Sequence, residues 1–449
     1  MSMDTTNTII KTEHLRFFYG FCGVPTTAIF DEEKTNELHQ LFRQLRQGEY
    51  RNTSENQKIT HHQLRVSDTP QWMNDLHTLD QTITRDGLST ICHIGIGGSI
   101  MGPECIYHSL STWNTPQQRS GIFISSHDED HINAKLKGID IERTLFVIVS
   151  KSGKTIEIQK ILDTIAQKQR HSTADFLRHQ CVSITTSAAN LTPNHYRQLV
   201  LFDSGVGGRF STTSPVGLVT LGLCFGPPVI PAILQGARCA DKHAQSVSEN
   251  IALRQAMIRF YQQQTYAGHA IVPYGEALVK FAPFLIQLIC ESLGKGSTIH
   301  NQPSLNQHAP ILMHGIGPDA QHTFFQQLHQ GTPIIPVEFF MTSPKTPNQT
   351  HILQQIIGQS LALHHGQQSH TPHHYFSGHR PSCITLLNHR SPEALGYLVG
   401  VIENRIMFEG FLHHINTFDQ PGVELGKKMT KKEMTPNSAG TTLFNQLMH

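Results

Sequence analysis

The stretch ICHIGIGGSIMGP, residues 91–103, decides the fold. Ile91 to Ile94 make a short apolar run that reads as a buried strand. Gly95, Gly97 and Gly98 form a turn, and the segment should then open a helix. Glycines at such a junction allow positive φ and close backbone approach, and the free N–H groups and dipole of the following helix favour an anion. The run is a poor dinucleotide fingerprint, because the third glycine of GxGxxG would fall at Ile100 and no acidic residue clearly ends a next strand about 20 residues on. A plain tight turn is the other reading of this segment taken alone.

The same alternation continues outward. GIFISS (121–126), TLFVIVS (144–150), Cys181 to Thr185 and Gln198 to Phe202 are strand candidates, and Ile158, Ile161, Leu162 and Ile165 mark one helical face between them. Short β-rich runs separated by helices predict an α/β fold with a mostly parallel sheet and helical crossovers. Upstream, Leu38, Leu41, Phe42 and Leu45 recur at helical spacing and Gly48 follows as a stop. Residues 211–265 read as mainly helical. Beyond them the style repeats: AGHAIVPYG (267–275) is a strand and turn, and Glu276 to Glu291 an apolar-rich helix with Pro283 as a kink. Pro310 to Met313, Pro333 to Val337 and Ser382 to Leu387 are strands, His322 to His329 is helical, and Glu393 to His414 is a long helix. The expected organisation is a helical lead (1–50), a first α/β unit (51–215), a helical crossover (216–265), a second unit (266–405) and a C-terminal helical segment (406–449).

Composition narrows the function classes. The chain has 449 residues, of which only 15% are charged, where about 25% is usual. Lys and Arg number 35 against 34 Asp and Glu, which argues against a dedicated nucleic-acid or anionic-membrane binder but leaves room for a local anion site. The 8 cysteines are scattered, form no CxxC and mostly fall in apolar runs such as TICHIG and FLIQLICES. That pattern predicts reduced, buried thiols and a cytoplasmic location. MSMDTTNTIIKTEH has no apolar signal-peptide core, and the apolar window Gly217 to Leu234 is broken by Gly226-Pro227-Pro228, so no membrane span is expected.

Further segments carry chemistry. In VSKSGKTIE (149–157), Ser150, Ser152 and Thr155 present hydroxyls and Gly153 frees the backbone at a helix start, a neutral cup suited to a phosphate dianion. It is no P-loop, because the first glycine of GxxxxGKT would have to be Ile148; an ordinary N-cap is the alternative. SGVGGRFSTTSPVG (204–217) places Arg209 on a glycine hinge, suited to a ligand oxyanion or simply a surface turn. Glu291 follows the apolar run 284–290, one turn after Gln287. It is either the first polar residue past a helix end or a desolvated base. His322 (DAQHTFFQQLHQGT) and Lys427 (FDQPGVELGKK) say little singly, and the His-rich stretch 364–379 lacks clean metal-ligand spacing.

Together, GIGGSIMGP, SKSGKT, SGVGGRFSTTSPVG, ESLGK, QHTFFQQLHQGT and FDQPGVELGKK resemble the glucose-6-phosphate isomerase (phosphoglucose isomerase) family, in the family's order and from about residue 45 to 430. The length resembles the shorter bacterial form. The resemblance implies two sugar-isomerase (SIS) domains, each a three-layer α/β/α arrangement, and a homodimer with shared active sites in the cytoplasm. It implies reversible conversion of glucose 6-phosphate and fructose 6-phosphate, in glycolysis and gluconeogenesis, with no metal or other cofactor. It assigns Ser99, Ser150, Ser152 and Thr155, with Gly98, Lys151 and Gly153, to the phosphate, and Gly208, Gln287 and Gln420 to the sugar. Arg209 would steady an enediolate and Glu291 would move the proton. His322, from the neighbouring subunit, and Lys427 would open the ring. Lys154 departs from the pattern, since relatives more often carry Thr or Phe there.

Overall fold

The computed structural model describes residues 8–67, 72–112, 119–168, 172–187, 195–435 and 438–448. Residues 1–7, which carry half of the segment expected to lack a signal-peptide core, lie outside them. Five parallel strands form a first sheet in the spatial order Ser120–Ile124, Thr90–Ile94, Thr144–Val149, Cys181–Thr185 and Gln198–Leu201. Ile91, Leu145, Val147, Val182 and Ile184 face one core, and Cys92, Ile94, Phe146, Ile148 and Cys181 face another. Both faces of the three inner strands are covered, which is why they are written as largely apolar runs, with buried His93 and Ser183 among the exceptions.

The second sheet has six strands, in the order Ile9–Lys11, Leu15–Phe21, Ser382–Leu387, Val337–Thr342, Gly268–Pro273 and Ile311–His314. The last four are mutually parallel, and the first two are antiparallel. The helical lead expected over 1–50 is thus corrected: two strands precede its helix Glu32–Gln47 and extend the second sheet. That helix is capped as the sequence suggests, with Asp31 accepting from the Lys34 N–H and Gly48 at φ 77°.

Between the sheets lies a layer of apolar helices. Pro215–Phe225 is buried throughout, and Pro392–Leu412 is buried from Ala394 to Phe411, so the boundary expected at 405/406 falls inside one helix. The latter crosses Val229–His243 at glycines: a Cβ on Gly396 would meet the Ile233 carbonyl oxygen at 2.0 Å, so only glycine lets the two backbones touch. Helices on the outer faces complete an α/β/α arrangement around each sheet. Among the described residues, no helix is long and apolar enough to cross a membrane.

Other local differences have simple causes. The helix expected from Glu276 starts at Phe281, after a separate 3₁₀ turn at Glu276–Leu278. Pro283 therefore falls in its first turn, where a missing N–H costs nothing, and it does not kink the helix. The strand expected at Pro333–Val337 begins at Val337 instead, past the prolines. Of the cysteines, Cys290 is exposed and Cys239 half-buried, while the others are buried; all are free thiols.

Candidate active site

In the first sheet the chain reverses direction between its second and third strands, Thr90–Ile94 and Thr144–Val149. In open parallel sheets, ligands bind beyond the carboxyl ends of the strands at such a switch point. Those two ends lead into Gly95–Ser99 and Ser150–Thr155, the segments expected to hold phosphate.

The first loop is tightly determined. Gly97 has φ 59°, and Gly97–Ser99 make one 3₁₀ turn before the helix Met101–Ser111. A Cβ on Gly98 would lie 2.3 Å from the carbonyl carbon of Gly208, so this turn presses directly on the backbone that carries Arg209. Behind it, His93 bridges the Ser99 carbonyl (Nε2, 2.7 Å) and the Thr220 hydroxyl (Nδ1, 2.7 Å). A carbonyl only accepts, so Nε2 donates and Nδ1 accepts from Thr220. Burial pushes the His93 pKa down to about 4, so the ring is neutral near pH 7.

In the second loop the Ser150 and Thr155 hydroxyls are 2.9 Å apart, and Gly153 has φ 67°. Thr155 occupies the N-cap position of Ile156–Ala166 but makes no side-chain capping bond, which leaves the first N–H groups of that helix without a hydroxyl cap. The Lys154 N–H donates to Ser152 Oγ at 3.2 Å. The Lys151 carbonyl accepts from the Thr186 hydroxyl at 2.8 Å, and burial lowers the pKa of its ammonium against the pull of Glu55 and Asp203.

Arg209 is 2% exposed and uses all five donors. Nε donates to Ser292 Oγ (2.7 Å), and Nη1 donates to Gln420 Oε1 (2.7 Å) and Glu291 Oε2 (3.2 Å). Nη2 donates to the carbonyls of Thr417 and Asp419. Burial lowers the Arg209 pKa, and the Glu291 carboxylate opposes that shift.

Glu291 lies on the last turn of Phe281–Leu293, and its side chain is 28% exposed. Its other oxygen, Oε1, accepts from Gln287 Nε2 at 3.1 Å, so each carboxylate oxygen has a fixed donor. Gln287 is nearly buried and lies close to the first loop, for a Cβ on Gly97 would be 3.1 Å from Gln287 Nε2. Glu291 and Gln420 also line a cavity of about 1010 Å³.

Two expected residues stand apart from this cluster. His322 is exposed at the end of Gly317–Gln321; the helix expected from His322 is interrupted there and resumes at Phe325. Lys427 is exposed on Pro421–Glu433, a helix with no buried residue, and pairs with Glu424 at 3.3 Å. Two residues in the cluster had been assigned nothing: Lys295 and Asp419, whose Nζ and Oδ1 are 2.8 Å apart. Both fall inside the quoted ESLGK and FDQPG blocks, and an isolated charge at the edge of each block was the available signal.

The sequence pattern of the phosphoglucose isomerase family matches residues 71–445. The chain belongs to the phosphoglucose isomerase family. Curated family relatives include the glucose-6-phosphate isomerase of Borreliella afzelii, 32% identical over 437 residues, covering 88% of this chain and 82% of that protein. That of Treponema pallidum is 32% identical over 448 residues, covering 90% and 83%. A crystal structure of the family, the glucose-6-phosphate isomerase from Chlamydia trachomatis, aligns with a TM-score of 0.89 at 28% identity, over 99% of this chain and 94% of that one. A Thermus thermophilus protein of 23% identity shares the fold, with a TM-score of 0.74.

Proposed function

We infer that this chain interconverts glucose 6-phosphate and fructose 6-phosphate as an aldose–ketose isomerase. Family membership supplies the reaction. The observation that carries the mechanism is the Glu291 carboxylate, held between Arg209 and Gln287 at the edge of an open cavity.

The reaction needs an open chain, a proton moved between adjacent carbons and a place for transient negative charge. Glu291 takes the proton from C2 of the open aldose as the electrons of that C–H bond move into a C1–C2 double bond. The carbonyl oxygen at C1 becomes the enediolate oxygen. The hydroxyl proton on O2 passes to O1, Glu291 returns its own proton to C1 on the same face, and the carbonyl re-forms at C2. A positioned acid–base group is worth roughly 10²–10⁴ in rate. Arg209 supports the enediolate from a fixed, desolvated position, so little reorganisation opposes the charge. The Nη1 edge shared with Glu291 and Gln420 is where a sugar oxygen exchanges for Gln420.

Ser99, Ser150, Ser152 and Thr155, with the backbone of Gly98, Lys151 and Gly153, hold the phosphate. The phosphate does not react, and its binding energy orients the sugar. Gly208, Gln287 and Gln420 contact the sugar. Lys427 and His322 serve ring opening, which asks the helix Pro421–Glu433 to bring Lys427 inward and a second copy of the chain to supply His322. The exposure of His322, which shares no hydrogen bond with the Arg209–Glu291 cluster, is what supports a homodimer with shared sites. The chain divides into two sugar-isomerase domains, one around each sheet. A cytoplasmic location fits its free thiols, and a near-neutral charge fits a small-molecule substrate without nucleic acid or membrane partners.

The test is NADP-coupled detection of glucose 6-phosphate formed from fructose 6-phosphate, with EDTA present. Turnover that survives EDTA is expected. No conversion in either direction would overturn the reading.

A further inference from the structure

Lys295 is among the less exposed charged side chains near the cluster, with 9% of its side chain accessible, yet none of the roles above uses it. It lies two residues beyond the Phe281–Leu293 helix that carries Glu291. Its ammonium has three donors and the protein takes all three: the Glu291 carbonyl (2.9 Å), Asp419 Oδ1 (2.8 Å) and the Asp419 carbonyl. Arg209 can exchange its Gln420 partner for a sugar oxygen, whereas the partners of Lys295 are two backbone carbonyls and Asp419, none of them placed against the sugar, so its role is one of position.

What it holds together is informative. The Glu291 carbonyl is one of the orphan acceptors at a helix C-terminus, where a cation is favoured. The Asp419 carbonyl also accepts from Arg209 Nη2 at 2.9 Å, so the two cations converge on one oxygen. Asp419 Oδ2 is fixed in turn by Asn416 Nδ2 at 3.0 Å. The next residue is Gln420, whose Oε1 meets Arg209 Nη1, and Pro421–Glu433 begins immediately after it. A single ammonium thus ties the last turn of the Glu291 helix to the loop that presents Gln420 and roots the Lys427 helix. Burial lowers the Lys295 pKa and Arg209 adds repulsion, which Asp419 and Glu291 offset. Placing two cations side by side is costly, and a merely structural link between these segments would not require it.

We propose that the Lys295–Asp419 pair is a positioning clamp for the isomerisation step, setting the Glu291 carboxylate and the Gln420–Arg209 edge in register. The clamp rests on the assignment of Glu291 as the proton carrier. None of the hydrogen bonds of the pair reaches either candidate phosphate loop, so the clamp bears on the isomerisation step and not on phosphate binding.

The experiment compares Lys295→Met and Asp419→Asn with the wild-type chain. It reads kcat in the coupled assay and, by calorimetry, the affinity for glucitol 6-phosphate, an open-chain hexitol phosphate with no carbonyl to isomerise. A small misplacement of reacting groups costs up to about a hundredfold, so kcat should fall by about tenfold to a hundredfold while glucitol 6-phosphate affinity stays within about threefold. The double variant should be no slower than the slower single one, as two halves of one device. Unchanged kcat in Lys295→Met, or loss of kcat and affinity in equal measure, overturns the clamp. Should Lys295→Met fail to fold, Asp419→Asn, which preserves shape, gives the same comparison. A wild-type chain that converts no sugar phosphate would instead refute the underlying isomerase reading.

Discussion

Arg209 and Glu291 meet at 3.2 Å, Nη1 to Oε2, although 82 residues separate them. The arginine belongs to the loop that follows the first sheet, and the glutamate to a helix that follows the first strand of the second parallel set. A carboxylate and a buried guanidinium side by side, one turn from Gln287, are the pair on which the proposed chemistry rests.

Replacing Glu291 by Gln keeps the shape of the side chain and removes its basicity. The variant should fold and bind glucitol 6-phosphate, while kcat falls by about 10²–10⁴. Calorimetry and the coupled assay read the two parts separately.

Arg209→Lys retains a charge but not the planar fork that meets Ser292, Glu291 and Gln420 together. Loss of a preorganised donor in such sites costs about 10²–10³ in kcat, so kcat should fall further than KM rises. A change confined to KM would make Arg209 a ground-state contact only.

Gly98 and Gly208 should respond differently to alanine. At Gly98 the new methyl would collide with the Gly208 backbone, whereas at Gly208 nothing lies within 4 Å. Gly98→Ala should lower both the melting temperature and activity. Gly208→Ala should melt like the wild type, with any loss confined to KM for sugar phosphate.

The neutral burial of His93 makes stability depend on pH. Its folded pKa of about 4 lies below the ordinary value of 6.5, so between these limits the unfolded chain binds the extra proton. Stability should therefore fall as pH drops from 6.5 towards 4, by roughly 1.4 kcal/mol per pH unit for this group. Denaturant unfolding of His93→Asn across that window should show a shallower slope than the wild type, and an identical slope would contradict the assignment.

The shared-site proposal predicts complementation. Glu291→Gln and His322→Ala protomers, each nearly inactive alone, should regain part of the activity after subunit exchange, because some sites then receive one intact residue of each kind. Absence of rescue, with exchange demonstrated by differently tagged protomers, would count against it.

The three inner strands of the first sheet, Thr90–Ile94, Thr144–Val149 and Cys181–Thr185, are legible because each is buried on both faces and so leaves a largely apolar run between glycine and polar punctuation, while the two edge strands are partly exposed. Leu15–Phe21 was not read as a strand, although its buried and exposed residues alternate. An antiparallel strand one place in from the sheet edge, with one face less deeply covered, leaves only that weaker, alternating signature, here mixed with charged neighbours. The candidate site residues stand in compact blocks of the sequence, since the two glycine loops and the Gln287–Glu291 turn are local in the chain. The Lys295–Asp419 pair does not, because it joins residues 124 apart and depends on how the central helices pack.

The central claim is that one carboxylate carries hydrogen between two adjacent carbons, and its direct test follows that hydrogen. Glucose 6-phosphate deuterated at C2 is converted by the wild-type chain and by Glu291→Gln, and the label is located by NMR. The account predicts that the wild type leaves part of the deuterium on C1 of fructose 6-phosphate and exchanges the rest with water, while Glu291→Gln neither transfers nor releases it although sugar phosphate binds. Label lost from C2 at the wild-type rate in Glu291→Gln would contradict the account.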